Sequence, residues 1–184
     1  MTDLLELQKK FILAHLREGD VCADFTMGNG YDTLFLSKSV GRSGRVYAFD
    51  IQEKALVSTE KRLREEGAPE NWQLICDSHH RAVEYIREPI KAGMFNLGYM
   101  PGSGDKELTT MRVTTLPAVK GAVEMLGEDS ILLVAVYPGH PEGAAEGREL
   151  REFFSSLSRF KYCVGEFRLI NSPEAPYFTI VETK

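Results

Sequence analysis

The chain reads as an α/β protein with a doubly wound, mostly parallel sheet that a C-terminal antiparallel hairpin completes. Three observations carry this. Short β-type apolar runs alternate with stretches of helical spacing from one end to the other. A strand-like segment over 21–25 breaks at Gly28 and Gly30 and resumes as a helix pattern at Tyr31. Residues 131–137 form an uninterrupted apolar run, as a central parallel strand covered on both faces requires.

The elements follow in order. Leu4, Leu5, Leu7, Phe11, Ile12 and Leu16 recur at helical spacing, so 3–17 is an amphipathic helix that Gly19 ends. After the strand at 21–25 comes a helix at 31–40, then a second strand at 45–50. Residues 52–66 place Ala55, Leu56, Thr59 and Leu63 on one helix face and stop at Gly67-Ala68-Pro69. Residues 72–76 are the third strand. Residues 80–88 form a short helix with Ala82, Val83 and Ile86 inward, and 94–99 is the fourth strand. A longer helix spans 105–126 and contains Pro117, a kink point. The strand at 131–137 leads to a helix over 143–158, and 161–170 pairs with 176–182 as the closing hairpin. No repeat, low-complexity tract or linker interrupts the pattern, so 1–184 is expected to be one domain.

Composition narrows the class. No apolar run approaches the roughly 20 residues that span a bilayer. The start, Met1-Thr2-Asp3, has no basic and apolar leader, so a cytoplasmic location is expected. Cys22, Cys76 and Cys163 are odd in number, far apart and each in a predicted strand, which suits reduced core thiols. The net charge of −5 argues against broad neutralisation of a phosphate backbone. Arg148, Arg151, Arg159, Lys161 and Arg168 are interleaved with Glu146, Glu149, Glu152 and Glu166 and read as a solvated helix face. Adjacent His79 and His80 point different ways and His140 is distant, so no metal site is expected.

The chemistry concentrates around the glycine turn. Asp50 closes the second strand about 20 residues beyond it, where a carboxylate accepts both hydroxyls of a ribose. A dinucleotide site wants a third small residue and a helix N-terminus free for a pyrophosphate. Here Thr33 replaces that residue and Asp32 sits in the first helical turn, with Asp24 just before the glycines. Carboxylates there repel a pyrophosphate and favour a cofactor with an ammonium and a sulfonium. S-adenosylmethionine fits this pattern better than NAD.

These blocks, together with Asp77-Ser78 closing the third strand, resemble class I S-adenosylmethionine-dependent methyltransferases, whose seven-stranded Rossmann-like fold includes such a hairpin. More specifically, Thr26 to Thr33, Phe49-Asp50-Ile51-Gln52, Asp77-Ser78-His79, Asn96 to Gly102 and Tyr137-Pro138-Gly139-His140 are similar to the bacterial rRNA methylase family. Its members act on 5-aminomethyl-2-thiouridine at the tRNA wobble position.

The resemblance implies a role for each strand end. Asn29 and Gly30 would offer backbone N–H groups to the methionine carboxylate, Asp32 and the backbone around Thr26 would take its ammonium, and Gly28 belongs to the same cofactor-binding turn. Asp50 would bind the ribose with support from Gln52, and Asp77, Ser78 and His79 would read the adenine. For Asp77 and Ser78 the alternative is a helix cap, and for Asp24 a role holding the turn rather than touching the ligand. Asn96-Leu97-Gly98-Tyr99 stands where amino-methyltransferases often carry Asn-Pro-Pro-Tyr, although both prolines are absent. A glycine-rich turn is the plainer reading of that segment. Asn96, Tyr99, Pro101, Tyr137 and His140 are the substrate-pocket candidates, with Asn96 and His140 the candidates for catalysis. The implied partner is the tRNA anticodon region, and a homodimer is one assembly left open. Two other classes remain open: a small-molecule N- or O-methyltransferase, which the net charge favours, and a non-catalytic nucleotide-binding module.

Overall fold

A computed structural model describes residues 4–97, 112–139 and 141–184. Its strands are β1 (Val21–Asp24), β2 (Arg45–Asp50), β3 (Trp72–Cys76), β4 (Ile90–Asn96), β5 (Leu126–Val136), β6 (Tyr162–Phe167) and β7 (Tyr177–Thr183). They form one sheet in the order β3-β2-β1-β4-β5-β7-β6. The first five pair in parallel, and β7 runs antiparallel to both neighbours. Chain order reverses between β1 and β4, so the crevice at their carboxyl ends is the topological switch point where such sheets bind ligands. The helices are α1 (Leu4–His15), α2 (Tyr31–Val40), α3 (Glu53–Glu65), α4 (Ala82–Tyr85), α5 (Arg112–Met125) and α6 (Pro141–Ser156).

The apolar run in β5 shows why this sheet is covered twice. Ile131, Leu133 and Ala135 join Ile12 of α1, Leu16 just past its end, and Leu36 and Val40 of α2 on one face. Leu132, Val134 and Val136 join Ala118 and Val119 of α5 and Leu150 and Phe154 of α6 on the other. With a period of two and both faces buried, no polar residue is tolerated from Ile131 to Val136.

Several boundaries differ from the sequence reading for physical reasons. Strand β4 begins at Ile90 rather than at 94 and ends at Asn96. Lys91 and Gly93 disguise its start. The Lys91 ammonium reaches the Glu128 carbonyl and the Asp129 carboxylate, while a Cβ at Gly93 would meet Leu132 at 2.8 Å and Phe25 at 3.0 Å. Strand β5 begins at Leu126, hidden by Glu128 and Asp129, and Tyr137 lies just past its end. The segment expected as a helix over 80–88 is a 3₁₀ turn, His79–Arg81, followed by one α-turn. In it Ala82 and Ile86 are buried four residues apart, whereas Val83 is 45% exposed. Of the 105–126 helix, residues 105–111 lie outside the described residues.

The cysteine reading holds only for Cys22, which is buried and whose thiol burial pushes up. Cys76 and Cys163 are exposed, because β3 and β6 are the two edge strands and their faces are incompletely covered. Glu146 also departs from the solvated-face reading, since it is buried and accepts a 2.6 Å bond from the Thr115 hydroxyl. No described helix is long and apolar enough to cross a membrane.

The glycine turn is where backbone freedom matters most. Gly28 (φ +48°) and Gly30 (φ +78°) are both left-handed, but a Cβ at Gly28 meets nothing nearer than 3.9 Å. One at Gly30 would lie 2.8 Å from the Thr59 side chain and 2.9 Å from its Cα. Gly28→Ala should therefore cost about 1–2 kcal/mol, the left-handed penalty alone. Gly30→Ala should cost about 3 kcal/mol or more, because α3 must also be displaced. Denaturant unfolding of the two variants measures the difference.

Candidate active site

The register of the parallel strands brings Asp24, Asp50, Cys76 and Asn96 to the same edge of the sheet. Asp24 lies opposite Ala48 and Met94, Asp50 opposite Cys76, and Asn96 opposite Ala135. Asp24 is 1% exposed. It accepts a 2.6 Å bond from the Thr33 hydroxyl and a 3.1 Å bond from the Thr26 amide. It therefore ties the end of β1 to α2 and fixes the intervening turn.

That turn is held from every side. Gly30 donates its N–H to the Met27 carbonyl at 2.7 Å, and Met27 donates to Phe49 at 2.9 Å. The Thr59 hydroxyl donates to the Gly28 carbonyl, Ser58 to the Asn29 side chain, and Arg62 Nε to the Asn29 carbonyl at 2.6 Å. Because its N–H closes the turn, Gly30 does not have that group to offer a ligand carboxylate. This corrects the role expected for it. Sequence reasoning also missed Ser58, Thr59 and Arg62. Their one signal is spacing on α3, which specifies a helix face and not its partner.

Asp50 accepts the Gly28 N–H at 3.1 Å with one oxygen and the Gln52 N–H at 3.0 Å with the other. Burial raises its carboxyl and these bonds oppose the shift. Asp77 accepts from the Ser78 amide, the Arg81 guanidinium at 2.8 Å and the Tyr85 hydroxyl at 2.6 Å, and the Tyr85 bond foremost holds its carboxyl low. Ser78 stands at the N-cap position of the 3₁₀ turn without a side-chain bond to it, and its hydroxyl pairs with His80 Nδ1 instead.

His79 is half-buried beside Phe95, with ring centroids 5.7 Å apart, and its Nε2 is shielded from solvent. Its Nδ1 lies 3.2 Å from the Phe25 carbonyl. A carbonyl only accepts, so the proton is on Nδ1 and Nε2 presents a lone pair. Burial lowers this imidazole to about 4, so it is neutral near pH 7.

Asn96 closes β4. Its backbone N–H donates to the Thr26 hydroxyl at 2.7 Å, and its side-chain Nδ2 donates to Asp32 Oδ2. Burial raises the Asp32 carboxyl, opposed by the charge of Lys9 and the Asn96 bond. Tyr137 lies close enough for Asp32 to add to the burial that raises its phenol. Tyr99, Pro101 and His140 lie outside the described residues.

Four buried side-chain atoms have no hydrogen-bond partner among the described residues: Gln52 Oε1, His79 Nε2, Asn96 Oδ1 and Trp72 Nε1. The first three are acceptors, and they follow the carboxyl ends of β2, β3 and β4. Trp72, a donor, starts β3 at the opposite edge. Orphaned buried acceptors each cost on the order of 1–3 kcal/mol. Their alignment along one edge fits a ligand rich in N–H and O–H donors, such as a nucleoside with an amino group.

The sheet order, the antiparallel β7 and a strand-end carboxylate beyond a glycine turn define a class I methyltransferase fold. The chain belongs to the family described as "Putative rRNA methylase", whose model matches residues 46–182. It is 37% identical, over 171 residues and 88% of its length, to "tRNA (mnm(5)s(2)U34)-methyltransferase, chloroplastic" of Arabidopsis thaliana. It spans 62% of that relative's length. Among solved structures it is similar to one described as a "putative rRNA-methylase" from Clostridium thermocellum, with TM-score 0.95 and 37% identity, covering 100% of this chain and 99% of the other. One described as "a putative methyltransferase" from Streptococcus mutans, solved in complex with SAH, gives TM-score 0.90 and 34% identity over 100% and 99% of the two chains.

Asp24 makes the stability of this site depend on pH. Its carboxyl is raised from 3.8 to about 7, first by burial and then by the neighbouring Asp32 charge. The folded chain thus keeps a proton that the unfolded chain has lost in the window between those values, so this group's contribution to stability falls as pH rises through it. Asp24→Asn removes the ionisation. The variant should lose on the order of 3 kcal/mol of pH-dependent destabilisation between pH 4 and 7, seen as a flatter profile of unfolding free energy against pH.

Proposed function

We propose that this chain is an S-adenosylmethionine-dependent RNA methyltransferase that N-methylates 5-aminomethyl-2-thiouridine at the tRNA wobble position, giving 5-methylaminomethyl-2-thiouridine. The observation that carries the cofactor assignment is the row of orphaned buried acceptors beside Asp50. The Arabidopsis relative supports the choice of acceptor.

The residues present fit the cofactor. Asp50 keeps lone pairs for ribose hydroxyls after accepting from Gly28 and Gln52. Gln52 Oε1 and His79 Nε2 accept from the remaining donors of the nucleoside. His79 serves as an acceptor because it stays neutral. Asp24 stays off the ligand and holds the turn. The cofactor supplies an electrophilic methyl group on a sulfonium.

Asn96 Oδ1 takes an N–H of the target amine, leaving the nitrogen lone pair for the methyl group. An alkylammonium has no such lone pair, so the acceptor reacts as the free amine and the rate rises with pH as the ammonium loses its proton. With a net charge of −5, recognition of the anticodon region rests on base contacts more than on phosphate neutralisation.

Asp50→Ala should weaken S-adenosylhomocysteine binding by about 2–3 kcal/mol in calorimetry, the cost of losing a charged acceptor. Nucleoside mass spectrometry decides the substrate. An anticodon stem-loop bearing 5-aminomethyl-2-thiouridine should gain one methyl, faster at pH 9 than at pH 7, while the same stem-loop without the aminomethyl group and rRNA stay unlabelled. Equal labelling without the amine overturns the reaction. Labelling of rRNA alone, or of small amines alone, replaces the substrate.

A further inference from the structure

We propose that Asp32 is a positioning residue that clamps the Asn96 carboxamide in one of its two orientations, so that Asn96 Oδ1 faces the acceptor and the site engages its substrate through an N–H. The inference rests on the reading of the site as an amine methyltransferase, and it replaces the ammonium-binding role that the sequence suggested for Asp32.

The orientation of a terminal amide is a two-way choice. The backbone that carries the amide is already fixed. Its N–H is bound by the Thr26 hydroxyl, its Cα is in register with Ala135, and the next residue, Leu97, donates its N–H to the Ala135 carbonyl. Asp32 is the side-chain partner of this amide among the described residues, and it decides the flip. An ionised carboxylate accepts and never donates, so a carboxylate against this side chain requires Nδ2 to face it. Oδ1 is then turned away from Asp32. There it is buried and has no partner among the described residues.

Asp32 is itself well held as a clamp. It occupies the first turn of α2, where the helix dipole favours a carboxylate, and the Lys9 charge across from α1 supports its ionised form. Without Asp32 the amide has no reason to prefer one orientation. Half of the molecules, or more, would present an NH₂ group to the incoming amine, a donor facing a donor.

The test uses Asp32→Asn, which keeps the shape but offers an NH₂ that pairs equally well with a flipped Asn96. On the aminomethyl stem-loop, kcat should fall at least about twofold, the molecules with a flipped amide being idle, while the affinity for S-adenosylhomocysteine is unchanged. In an Asn96→Ala background the same substitution should leave kcat unchanged, because the two residues act as one unit. Asp32→Glu, which keeps an accept-only group, should recover part of the lost rate.

A second readout needs no substrate. The Asn96 side-chain amide, assigned in ¹⁵N spectra by its disappearance in Asn96→Ala, should show a downfield, slowly exchanging proton that Asp32→Asn abolishes. Cofactor affinity lost in step with kcat would assign Asp32 to the cofactor and overturn the clamp. Independent, multiplicative losses in the double variant, or an unchanged Asn96 amide in Asp32→Asn, would also overturn it. If the unaltered protein methylates no amine-bearing RNA, the proposed function fails, and the amide spectra still decide whether Asp32 orients Asn96.

Discussion

The site hangs on one buried carboxylate. Asp24 sits at the carboxyl end of the central strand β1, out of reach of solvent, where its charge is costly. It is retained because the Thr26 amide and the Thr33 hydroxyl converge on it, and those two bonds set the path of the chain from β1 into α2. Thr26, so placed, accepts the Asn96 amide. Gly28, in the same turn, donates to Asp50. The ends of β1, β2 and β4 are thus joined through one turn, and displacing Asp24 displaces Asp50 and Asn96 together. The aromatic stack of Phe25 on Phe95, with centroids 4.3 Å apart, and of Phe25 towards Phe49 at 6.0 Å, gives that turn a stiff apolar floor.

How legible this was depended on whether a signal was local. Strands β2 and β3 were read to the residue from 45–50 and 72–76, because β-branched or aromatic residues in them are bounded by Gly and Asn-rich breaks. The start of β4 was not legible, because Lys91 serves as a cover for the Asp129 loop and Gly93 exists to admit Leu132 and Phe25. Both are tertiary reasons that leave no periodic trace. The same holds for the site. Asp50 and Asn96 could be placed from strand ends, but the bond between Asn96 and Asp32 crosses 64 positions of sequence, and no pattern announces it. Conversely, Gly30 invites a ligand-facing reading in every glycine-turn motif, and here its N–H is spent on Met27.

Part of the acidity of the chain is concentrated at the site. Asp24, Asp32 and Asp50 lie close enough that Asp32 and Asp50 both push the Asp24 carboxyl upward, and burial raises each of the three. Such a cluster is destabilised by its own repulsion and desolvation. Each bond it accepts from Thr33, Asn96 or Gln52 offsets part of that, and none of these neutral donors supplies the missing positive charge. Lys9, the cation that lowers Asp32, approaches from α1 and is shared with Glu6.

A carboxylate cluster short of one cation selects its ligand by charge. A pyrophosphate arriving at the N-terminus of α2 would meet Asp32 in the first turn and two further carboxylates behind it. The attraction of a helix dipole, typically 0.3–1 kcal/mol for an exposed charge, is too small to overcome several like charges in a partly buried site. A ligand bearing an ammonium and a sulfonium reverses the sign of every one of those terms. It lowers the cost of ionising Asp24 as it binds. On the reading of Asp32 as a clamp, the amide is fixed by what favours the ionised Asp32 inside the protein, the helix dipole and the Lys9 charge, so the acceptor side of the site is ordered before anything occupies it.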